Sequence, residues 1–125
     1  MARRDISGAV DFAHLESFAA GDEALIDEVL GLFREQAALW VRLLDPDGSN
    51  DTWRDGAHTL KGSALGIGAF ALAAACGEAE DAAATGAGQK ALQLERVRTA
   101  LDAALADIAA YAHERALQSL KSTPR

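Results

Sequence analysis

Apolar residues recur at steps of three and four through almost the whole chain, and this regularity limits the possible folds more than any other feature. Such steps stack side chains on one face of an α-helix, whereas a strand would need steps of two. Ile26, Val29 or Leu30, Phe33, Ala37, Trp40 and Leu44 form one stripe, closed by Asp45-Pro46-Asp47-Gly48. Trp53, Ala57, Leu60, Ala64 and Ile67 form a second, closed by Gly66-Ile67-Gly68. Leu72, Cys76, Ala79 and Ala83 make a third, followed by a loop at Thr85-Gly86-Ala87-Gly88. The fourth reads Leu94, Val97, Leu101, Ala104 or Leu105, Ile108 and Tyr111. The spacing predicts helices over 22–44, 50–67, 69–84 and 89–117. Ahead of them, Val10, Phe12, Leu15 and Phe18 predict a short helix that stops at Ala20-Gly21, and Asp22 suits the N-cap of the next.

Each helix must bury its stripe, and short connections force neighbours to run antiparallel. The expected fold is therefore all-α: an antiparallel up-down-up-down four-helix bundle with the 10–20 segment as a lid over one end. Composition agrees, since half the residues are hydrophobic, only 6% are aromatic and alanine is the commonest residue. A chain of 125 residues makes one domain with one core. Residues 1–9 and 119–125 lack the periodic pattern and are expected to be flexible, which leaves 10–118 as the domain.

The formal charge of −7 understates the acidity of the body. Residues 5–120 hold eight Lys or Arg against nineteen Asp or Glu, a balance of −11. That excess repels phosphate backbones and anionic lipid, so neither nucleic acid nor a membrane is an expected partner. The single cysteine, Cys76, sits in an apolar run and fits a reducing compartment. Arg3-Arg4 leads into Asp5 and not into an apolar segment, so a cytoplasmic protein is expected.

One polar patch stands apart from the stripes. His58, Lys61 and Gly62 are spaced by three and four, so they share a helix face about 100° from the Trp53-to-Ile67 stripe. An outward imidazole offers a nucleophilic nitrogen near neutral pH, and a lysine one turn away offers a point charge suited to phosphoryl oxygens. Glycine inside a helix costs about 1 kcal/mol relative to alanine, a cost that makes sense where another molecule must come close. A nucleophilic ring also needs one tautomer, and Glu80, four residues after Cys76 on the following helix, is the best candidate acceptor. His14 and His113 have no such company and read as surface, as do Asp102, Asp107, Glu114 and Arg115.

His58-Thr59-Leu60-Lys61-Gly62-Ser63 followed by Gly68-Ala69, with Leu72, Cys76 and Glu80 beyond, resembles the signature of the histidine-containing phosphotransfer domains of two-component phosphorelays. The resemblance spans about residues 10–115 and takes in Phe12, Leu15, Gly21-Asp22 and Phe33. It implies that His58 accepts a phosphoryl group from a histidine kinase or its receiver domain and passes it to a response-regulator aspartate. Lys61 would steady the phosphoryl oxygens, Gly62 would give access and Glu80 would orient the ring. The chain departs from the commonest pattern at Ala64, where a second serine is frequent, and at Gly66.

By the same implication the chain needs no cofactor, because the receiver partner supplies Mg²⁺, and no glycine-rich nucleotide loop is present. It would act as a monomeric relay intermediate and not as an enzyme. Leu15, Phe18, Ile26, Arg54 and Leu65 are the expected docking residues around His58. The alternative is a helical interaction module without phosphotransfer.

Overall fold

A computed structural model describes residues 6–122, which form five α-helices and no strand. They are α1 (Phe12–Phe18), α2 (Glu23–Trp40), α3 (Asn50–Ile67), α4 (Phe70–Asp81) and α5 (Ala87–Ser122), with a 3-10 turn at Val41–Leu43 after α2. The chain is an all-α bundle, as its apolar spacing predicts. The helices are less equal than expected: α4 has 12 residues and α5 has 36, the latter about 54 Å long at 1.5 Å per residue. Gly86 and Gly88 do not hold α5 back, because Gly88 is accommodated within its first turn.

Side chains set the helix starts. Asp11, Asp22 and Ser49 accept the backbone N–H groups of His14, Leu25 and Thr52, each three residues on, and so satisfy donors the helices leave free. The α3 cap is Ser49, one residue before the Asn50-Asp51 start that the sequence suggested. Helix α3 runs through Gly66 and ends at Gly68, which is left-handed at φ 83°. There the chain crosses the entry to α1: Asp11 N–H donates to Gly68 O at 2.9 Å, and a Cβ on Gly68 would lie 2.7 Å from Asp11 O. A side chain would meet both a strained φ and a backbone clash. Gly68→Ala is expected to cost about 2–3 kcal/mol in urea denaturation, and a loss below about 0.5 kcal/mol would refute this account of the turn.

The core joins Trp53, Leu60, Ile67, Leu72, Cys76, Val97 and Ile108 with Leu15, Ile26 and Phe33. Helix α3 lies between α2 and α4, and α4 packs on α5. Trp53 near the start of α3 donates its indole N–H to Ala79 O near the end of α4 at 2.6 Å, so these two helices run in opposite directions. Arg115 near the end of α5 pairs with Glu23 and Asp27 at the start of α2, so that pair is opposed as well. Gly56 lets α3 come close to the end of α2, since a Cβ there would lie 2.9 Å from Leu43 Cβ. Trp40, read as core, is only half-buried.

The N-terminal expectations need correction. Of the arm expected over 1–9, residues 6–9 are attached to the bundle, and residues 1–5 lie outside the described range. The attachment point is Asp107, which is 1% exposed and not part of a solvated face. Its Oδ1 accepts Ser7 N–H at 2.7 Å and Ser7 Oγ–H at 2.9 Å, and its Oδ2 accepts Gly8 N–H at 3.2 Å and Val10 N–H at 3.1 Å. A buried carboxylate persists when its lone pairs are met in this way. The segment then delivers Phe12 onto Tyr111, whose rings stack with centroids 4.0 Å apart. At the other end α5 continues through Ser119 to Ser122, and residues 123–125 lie outside the described range. Among the described residues no helix is long and apolar enough to cross a membrane.

Candidate functional site

The buried stripe of α3 turns His58 outward, and 68% of its side chain is exposed. Its ring is nevertheless held. Nδ1 lies 3.0 Å from Glu80 Oε2 across the α3–α4 groove. The other oxygen of that carboxylate, Oε1, accepts from Lys61 Nζ at 2.7 Å. Glu80 thus bridges the imidazole and the ammonium, and the partner that the sequence suggested for His58 is the one the fold brings to it.

Hydrogen bonding to Lys61 holds the Glu80 carboxyl below the usual range, against partial burial and with help from His58. The same bond raises the Lys61 ammonium above its ordinary value, against some desolvation. Glu80 is therefore a carboxylate at neutral pH. An ionised carboxylate only accepts hydrogen bonds, so Nδ1 must carry the hydrogen and Nε2 the lone pair. Nε2 is the ring nitrogen left free to react. In the free protein the Lys61 ammonium lies on Glu80.

Gly62 borders this patch with no structural need to be glycine. Its φ is not positive, and a Cβ there would meet no atom within 4 Å. An alanine would therefore fit the free protein. Cys76 is no competing nucleophile, since burial pushes its thiol up to about 12 and leaves it protonated.

The structure divides the expected docking residues. Phe18 is 74% exposed and Leu65 is 47% exposed, so both are open to a partner. Arg54 is also on the surface, paired with Asp51 at 3.0 Å. Leu15 and Ile26 are corrected to core: they are 0% and 2% exposed and seal the joint between α1, α2 and the bundle. Sequence reasoning missed the outward leucines of α2. Leu25, Leu32 and Leu39 recur every seven residues, close to two helical turns, and all three are exposed. With Phe18, Val29, Ser63 and Gly66, Leu32 lines an apolar groove between α2 and the half of α3 that follows Gly62. The seven-residue recurrence was the available signal.

The site is thus an exposed histidine braced by an acid of the next helix on an all-α bundle. The sequence profile of the Hpt domain matches residues 22–111, and this chain belongs to the histidine-containing phosphotransfer (Hpt) domain family. Members of this family are phosphotransfer intermediates and not kinases. The solved structure of the histidine phosphotransferase ShpA from Caulobacter crescentus is 59% identical, with a match covering 90% of this chain and 99% of that one at a TM-score of 0.75. No curated protein sequence matches the chain.

Proposed function

We propose that this protein relays a phosphoryl group through His58, between a histidine kinase or its receiver domain and the receiver aspartate of a response regulator. The observation that carries the reading is the Nδ1–Glu80 contact of 3.0 Å, which leaves Nε2 facing outward beside Gly62 on a member of the Hpt family. In acceptance, the Nε2 lone pair attacks the phosphorus of a receiver phosphoaspartate. An N–P bond forms, the acyl-phosphate P–O bond breaks and the aspartate leaves as carboxylate. The ring then carries positive charge with its hydrogen still on Nδ1, where the Glu80 carboxylate stabilises it. No proton has to move, and donation to the next aspartate is the same step reversed.

The acidic pocket of the receiver supplies Mg²⁺ and the reacting carboxylate, so this chain contributes nucleophile, orientation and access. It draws its phosphoryl group from protein donors and not from ATP, in keeping with a sequence without a glycine-rich phosphate loop. A receiver covering His58 would also cover Leu65, Arg54 and Phe18, with Leu32 and Val29 in place of the buried Leu15 and Ile26. We place the protein in the cytoplasm as a monomer. The test is to mix it with radiolabelled phosphorylated receiver domains and seek an acid-labile, base-stable label on the chain. Failure to form one with any receiver or kinase of the source cell would leave only an interaction module.

A further inference from the structure

The position of Lys61 suggests a different role from direct contact with the phosphoryl group. Its ammonium is 2.7 Å from Glu80 Oε1, and the opposite oxygen of the same carboxylate meets the His58 ring at 3.0 Å. Its stem lies over Gly77, where a Cβ would stand 3.7 Å from Lys61 Cδ. That is ordinary van der Waals contact, so the lysine runs along α4 to Glu80 in close packing with the helix.

A carboxylate beside an imidazole has two effects. It fixes the tautomer, which helps a nucleophile, and it favours the protonated ring, which removes the lone pair. A cation on the other carboxylate oxygen keeps the first effect and offsets the second. We infer, on the basis of the phosphotransfer reading above, that Lys61 is a positioning residue acting on His58 through Glu80: it anchors the carboxylate and offsets its charge, so the ring is oriented without being held protonated.

Other charges nearby do not substitute for Lys61. On α3, Arg54 is engaged by Asp51, and Asp55 one turn before His58 is an acid and would add to the effect of Glu80. On α4, Asp81 is a further acid and the Cys76 thiol stays neutral. The α2 wall of the adjoining groove offers Val29, Leu32, Phe33 and Gln36, none of which titrates. Lys61 is thus the one cation on the bridging carboxylate among the described residues.

The test compares Lys61→Met, which keeps the stem, with Lys61→Arg and with the double variant Lys61→Met/Glu80→Gln. Ring-proton NMR on the free, unphosphorylated protein needs no partner, so its outcome is separable from any failure of the phosphotransfer reading. In Lys61→Met the His58 titration midpoint is expected to move to higher pH. In the double variant and in Lys61→Arg it is expected to return to the wild-type position. Phosphoryl acceptance by Lys61→Met is expected to be several-fold slower below about pH 7 and to match wild type above about pH 8. An unmoved midpoint in Lys61→Met would overturn the inference. So would a loss of rate equal at every pH and not rescued by Glu80→Gln, which would place the ammonium on the phosphoryl oxygens.

Discussion

His58→Gln is expected to abolish the acid-labile, base-stable label, a fall of at least about a thousand-fold in acceptance from a phosphorylated receiver. The substitution removes the nucleophile but little else. His58 is exposed and helical, and among the described residues its polar contact is with Glu80, which keeps Lys61. Stability should change by less than about 1 kcal/mol, so circular dichroism and urea midpoints separate chemistry from unfolding. A label that survived in this variant would sink the central assignment. It would have to be sought on His14, which lies edge-on to Phe70, or on the exposed His113 of α5. The buried, protonated Cys76 could not carry it.

Asp107→Ala carries the second large effect, on stability. The substitution leaves the N–H groups of Ser7, Gly8 and Val10 without their acceptor and frees the segment that delivers α1 to the bundle. Loss of several hydrogen bonds to one buried charge is expected to cost about 3 kcal/mol and to lower Tm by about 10 °C. A shift under about 2 °C would show that the segment contributes little.

The pH dependence follows from the same contacts. Burial pushes the Asp107 carboxyl upward, but the bonds from Ser7, Val10 and Gly8 outweigh it and hold the group below its ordinary value. A carboxyl with a lowered folded value contributes stability in full above its unfolded value, about 3.9, and loses it as pH falls through the folded one. Wild type and Asp107→Ala should therefore converge in stability on acidification below about pH 4. Equal separation at pH 7 and in acid would count against an ionised Asp107.

Asp107 also shows how a legible signal can be passed over. Ala104, Asp107 or Ile108 and Tyr111 follow the three-and-four spacing, so the residue stands on the buried stripe of α5. Lys90 and Gln93 continue that stripe toward its start and are likewise buried. Lys90 Nζ donates to Asn50 Oδ1 at 2.6 Å, and its ammonium lies 5.5 Å from the centroid of the Trp53 ring. All three fall on the spacing of the inward face, but the polarity of Asp107 argued for solvent. The fold supplies partners for Asp107 and Lys90, which makes their burial tolerable, whereas Gln93 Oε1 is buried without one. Leu15 and Ile26 show the converse: both stand on apolar stripes that the spacing marks for burial, and the fold buries them and leaves neither open to a docking partner.

The sequence by itself determined the helical class, the outward set of His58, Lys61 and Gly62, and the family signature. These depend on spacing within one helix, and helical periodicity is local. It also pointed to Glu80, through nothing more than the adjacency of α4. The tertiary structure decided how that residue is used. That one Glu80 carboxylate meets both His58 and Lys61 depends on the register of α3 against α4 across the tight turn at Gly68. The same packing gave the Asp107 carboxylate its Ser7, Gly8 and Val10 donors and left Leu32 open along the groove between α2 and α3. Those outcomes belong to contacts between helices, and no spacing along a single helix specifies them.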